Sequence, residues 1–230
     1  MEKGKIIFKK IIITFLSWTI LTWAIAIAVP KDLEIQGKQL VSQTPPFACT
    51  LPSELNMTHS FSQENPEMSS LTRVYFLVKE KNKQIEEMLI LQIADKTNPQ
   101  AGPMSTAPLK PYTEKRLYSK GSVKKGELEV EYLTQLMAWN PDSQSLQPIV
   151  KKGFVIPSHW ALQGQFLFLY QGDHAVFFRY SRDINSFGLK ASEDGKDWEI
   201  GSISWKEKKV YETFQKSLIE MIHSIVIKPL

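Results

Sequence analysis

Cysteine is almost missing from this chain: Cys49 is the only one among 230 residues. No internal disulfide can form and no C-x-x-C redox or zinc pair exists, so stability has to come from core burial. Histidine is scarce as well. His59, His159, His174 and His223 are never three or four residues apart, which excludes a helical metal-binding pair. No phosphate-binding glycine loop occurs, and no G-x-S-x-G elbow. No cofactor is expected on these grounds. A basic excess is also lacking where it would matter. The formal charge is +4, but Lys3, Lys5, Lys9 and Lys10 against Glu2 account for most of it. Residues 29–230 carry 24 basic and 23 acidic side chains (28 − 4 and 24 − 1), so no nucleic-acid partner is expected.

What the chain does have is an apolar run, residues 11–29 (IIITFLSWTILTWAIAIAV), with no charge in nineteen positions. The preceding lysines, the apolar core and Ala26-Ile27-Ala28 fit a signal peptide cleaved before Val29. The length also suffices for an uncleaved signal-anchor helix. Both readings engage the membrane through residues 11–29, keep the lysines inside and place the rest outside the cytoplasmic membrane. The expected organisation is a leader over 1–28, a polar Gly- and Pro-containing tether over 29–46, and one α+β domain over 47–230.

Within the domain, Phe47 to Pro52 predicts a first short strand and 56–70 a polar loop. Residues 71–94 predict a hairpin, with Val74–Val78 apolar on both faces and therefore covered on both, by helices. Pro99, Pro103, Pro108 and Pro111 predict an irregular segment over 97–113. Alternation over 127–139 predicts a half-buried strand with Glu127, Glu129 and Glu131 on its wet face. A second hairpin turns at Gly172-Asp173 between aromatic-rich strands, and WEIGSISW (198–205) predicts another strand. Val210, Phe214, Leu218 and Met221 recur at spacings of three and four, which predicts a helix over 206–223. The fold expectation is an antiparallel sheet built from two hairpins, with that amphipathic helix packed on it.

The chemistry-bearing candidates are His159, His174 and Asp173. With Ser158, the pair Asp173-His174 can be arranged as an Asp–His–Ser set, but neighbouring strand residues point to opposite faces. No catalytic or metal constellation is expected. The order of elements resembles the PsbP-like fold of exported proteins: a first strand ending at Pro52, the long hairpin 71–94, and a terminal helix running into Ser224-Ile225-Val226-Ile227. The proline-rich stretch departs from that pattern, where a helix would lie between the hairpins. The resemblance implies an α/β sandwich for binding and assembly. The functional expectation is a non-catalytic extracytoplasmic accessory protein that binds a partner protein or envelope component. The alternatives are a small-ligand or lipid binder with the aromatic hairpin lining its pocket, and a hydrolase using His159 or His174 as base.

Overall fold

The computed structural model describes residues 32–157 and 159–227; the expected leader over 1–28 and Ser158 lie outside them. Among the described residues eleven strands form two antiparallel sheets. Strands β1 (Leu33–Gln36), β2 (Gln39–Gln43), β3 (Pro46–Thr50) and β11 (Val226–Ile227) make the small sheet, in that order. The large sheet is ordered β4-β5-β6-β10-β9-β8-β7. Its strands are β4 (Asn56–Asn65), β5 (Ser70–Lys81), β6 (Gln84–Lys96), β7 (Tyr118–Lys125), β8 (Leu128–Ala138), β9 (Trp160–Tyr170) and β10 (His174–Asp183). Helix α1 (Gln147–Val150) is one turn; α2 (Trp205–His223) is the long one.

This corrects the expected fold class. The chain is mostly β, with a second sheet where a tether was expected and seven strands where two hairpins were expected. Residues 33–43 are a hairpin turning at Gly37-Lys38, with Gly37 at φ +59°, and Leu40 and Ser42 facing inward. Residues 56–65, expected as loop, are the edge strand β4. No residue of β4 is fully buried; ladder hydrogen bonds to β5 hold it, so no apolar pattern announces it. The expected strand 198–205 is absent: Lys196–Trp198 is a single 3₁₀ turn, and Ser204 caps α2 in a reciprocal box with Glu207.

The large sheet is two meanders, β4-β5-β6 and β7-β8-β9-β10, joined where β6 pairs with β10. The chain leaving β6 must reach β7, four strand spacings away, or about 19 Å. The proline-rich link makes that crossing over the outer face of the sheet. Leu109 packs on Leu133 and Leu167, and the Leu109 and Tyr112 amides donate to Glu131 Oε1 (3.0 Å) and Gln135 Oε1 (2.7 Å). Segment 139–156, with α1, covers the other half of the outer face through Trp139, Leu146, Ile149 and Ile156. The outer cover of β5 is thus mostly irregular chain rather than the expected helix.

The inner face holds the main core. Phe47 of the small sheet meets Phe168 and Phe178 edge-on at 5.8 and 5.9 Å, and Phe166 stacks on Phe178 at 4.3 Å. Helix α2 buries Tyr211, Phe214, Leu218, Met221 and Ile222 against this face. Phe214 stacks on Tyr180 with ring centroids 5.6 Å apart. Leu218 sits directly over Gly164 of β9, where a Cβ would lie 2.7 Å from Leu218 Cδ1. Gly164 is what lets the helix come this close. Among the described residues no helix is long and apolar enough to cross a membrane.

Candidate functional site

Alternation along β5, β6 and β10 sends one set of side chains to the inner face. The middle of each strand is apolar and both ends are ionic. At one end Arg73 of β5 forks onto Asp95 of β6, with Nε and Nη2 donating at 2.8 and 2.9 Å. Nη2 also donates to the Thr44 carbonyl at 2.5 Å, and Nη1 pairs with Asp32. Tyr75 Oη donates to Asp32 Oδ1 at 2.7 Å, and His174 Nδ1 lies 2.8 Å from Asp95 Oδ1. Asp32 and Thr44 belong to the small-sheet segment, so this network ties one sheet to the other. Burial raises the Tyr75 pKa, as does Asp95, while Arg73 opposes them.

At the opposite end stands Glu87, 2 % exposed. Ser53 Oγ donates to it at 2.6 Å, Lys79 Nζ lies at 3.2 Å, Arg182 Nε at 3.7 Å, and Tyr180 Oη donates as well. Burial pushes the Glu87 carboxyl up; the bonds from Ser53 and Tyr180, the Arg182 charge and the Lys79 bond outweigh it and hold the group below its ordinary value. Burial also drives the Tyr180 hydroxyl far above its usual range, with Glu87 adding to the effect. These two clusters join elements.

The sequence candidates are placed apart. His159 precedes β9 and His174 begins β10 opposite Tyr170, at the far end of β9. Eleven strand residues separate the two histidines by roughly 33 Å. His174 turns to Asp95, not to its neighbour Asp173, which pairs instead with Lys96 at 2.8 Å. Lys96 holds the exposed Asp173 carboxyl below its ordinary value. His159 Nε2 lies 2.7 Å from both Asp183 Oδ1 and Asn185 Nδ2. A ring nitrogen serves one of these at a time: protonated it donates to Asp183, unprotonated it accepts from Asn185. His59 sits on β4 against Phe61 and Phe76, where burial and then Lys152 lower its pKa. The His223 carbonyl accepts from Lys125 Nζ at the end of α2. No group of three or more His, Cys, Asp or Glu with metal-holding geometry occurs among the described residues.

The aromatic hairpin does not line a pocket on its inner face. Phe166, Phe168 and Phe178 are fully buried in the core. A wide depression of about 400 Å³ lies instead between the first hairpin and the start of β4, lined by Ile35, Gly37, Glu54, Leu55, Asn56 and Met57. A smaller cavity under segment 139–156 contains Arg179, a residue that sequence reading passed over. The strand pattern places Arg179 on the face opposite Phe178 and Tyr180. That this face would be covered depends on a segment 23 or more residues earlier in the chain. The chain matches no protein-family model, no curated protein and no solved structure.

Proposed function

We propose that this chain is a non-catalytic accessory protein held or released outside the cytoplasmic membrane, where its two-sheet domain binds a partner protein or envelope component. The observation that carries this reading is how its ionisable groups are used. The two candidate histidines stand at opposite ends of β9, and His174 is turned to Asp95 inside the ionic network that ties the two sheets together. The buried carboxylates join one sheet or strand to another. The charge-free run 11–29 and its flanking lysines support delivery to or across a membrane. An activity-based serine-hydrolase probe tests the reading. The purified chain is expected to stay unlabelled; labelling that is lost in Ser158→Ala and in His159→Ala would replace this reading with the hydrolase.

A further inference from the structure

The cavity on the outer face of the large sheet has a volume of about 40 Å³. Phe61, Phe76 and Ile90 form its apolar wall, and Gln92, Gln144 and Arg179 are polar groups at its border. Register fixes Arg179 there: it stands opposite Ile90 of β6 and Gln165 of β9. Its Nε is shut off from solvent and has no hydrogen-bond partner among the described residues. Burial depresses its pKa and no neighbouring acid counters the effect. The nearest compensation is the Phe177 ring, 5.4 Å from Cζ. Arg73 shows how the same chain treats a buried guanidinium when the role is structural: two aspartates and a carbonyl receive it. Among the described residues Arg179 joins no two elements by a hydrogen bond, and its half-buried side chain leaves Nε as a shut-off donor without a partner, which costs the fold stability. An arriving anion would remove that cost.

We propose that this cavity receives the carboxylate of a small organic acid, with Arg179 as its anchor. Size limits the occupant. A water needs about 10–15 Å³, so the cavity holds about three water-sized groups, the bulk of a carboxylate. A planar guanidinium fork matches two carboxylate oxygens. Phosphate or sulfate, with five heavy atoms, exceeds the roughly three water-sized groups the volume holds. The carboxylate fills this volume, so the short aliphatic tail of the acid lies outside it. This assignment is independent of the partner-binding role proposed above, and either one can fail alone.

The test is thermal unfolding of the full chain in mild detergent, titrated with sodium butyrate, butyramide or sodium sulfate. Arg179→Met is run in parallel, and the difference between the two proteins removes the general salt effect. Butyrate is expected to raise the wild-type Tm with concentration, as any ligand of the native state must. Butyramide and sulfate should give no difference between the two proteins. Arg179→Met should lose the butyrate response while its ligand-free Tm stays at or above that of wild type, because a shut-off donor without a partner has been removed. An equal response to butyramide or sulfate, or a butyrate response that survives in Arg179→Met, overturns the proposal. Should Arg179→Met fail to fold, Arg179→Lys decides: butyrate binding about tenfold weaker supports the fork, and unchanged binding refutes it. Acetyl-Gly-Ala with a free or an amidated C-terminus distinguishes the source. A response to the free peptide carboxylate without one to butyrate would reassign the cavity to a protein tail and overturn the small-acid assignment.

Discussion

The close contact between α2 and β9 gives a prediction whose sign changes with background. In the native protein a Gly164→Ala methyl would lie 2.7 and 2.8 Å from the two δ-carbons of Leu218, which is 1 % exposed and cannot swing into water. Overpacking of this kind costs about 2 kcal/mol. Leu218→Ala alone empties the same space and costs about 3–4 kcal/mol. In that second background the added methyl finds room. It recovers about 0.8 kcal/mol of burial and about 0.5 kcal/mol from removing a strand glycine. Gly164→Ala is therefore expected to destabilise the wild type and to stabilise Leu218→Ala by about 1 kcal/mol, a coupling of about 3 kcal/mol. Urea unfolding of the four proteins, followed by tryptophan fluorescence with m held constant across the set, measures it. If Gly164→Ala has the same effect in both backgrounds to within about 0.5 kcal/mol, the helix does not dock over Gly164.

Three further outcomes follow from the buried ionic groups and the lone thiol. Arg73→Met leaves Asp32 and Asp95 without their shared cation and is expected to lower stability by about 3–5 kcal/mol in the same urea assay; a loss under about 1 kcal/mol would mean the network does not link the sheets. Glu87 has its carboxyl held below the ordinary value in the folded state, so its contribution is complete above the unfolded carboxylate range and is lost as pH falls through the lower folded value. Glu87→Gln should therefore be less stable than wild type at neutral pH, with the gap closing under acid; a gap that does not depend on pH would contradict this. Cys49 is buried, and that burial pushes its thiol up to about 12. It should react with a thiol reagent at pH 8 only once the protein is unfolded, and rapid labelling of the native chain would count against the packing of β3.

The sequence carried the fold wherever an element's own residues declare it. The two long hairpins show as aromatic and β-branched runs, and α2 shows as apolar residues three and four apart. It failed where a strand is held by a neighbour rather than by its own apolar face. The pattern of β4 is polar because neither of its faces is fully covered, so only its register with β5 makes it a strand. The first small-sheet hairpin hid in a stretch rich in polar residues, although Gly37-Lys38 between Leu-x-Ile and Leu-x-Ser is a turn signal that could have been used. The ionic clusters were illegible for another reason. Arg73 and Asp95 lie 22 positions apart, and Tyr180 and Glu87 lie 93 apart. Only strand register brings them together. Arg179 differs from an ordinary strand arginine solely in what covers it.

Delivery of the domain across the membrane is most directly tested by cysteine labelling in intact cells. Glu193 is exposed and Cys49 is buried, so Glu193→Cys adds one accessible thiol over a silent background. A membrane-impermeant maleimide should label this variant without lysis, and deletion of residues 11–29 should abolish labelling until the cells are opened. Labelling of the intact-leader variant only after lysis would place the domain in the cytosol and contradict the extracytoplasmic role.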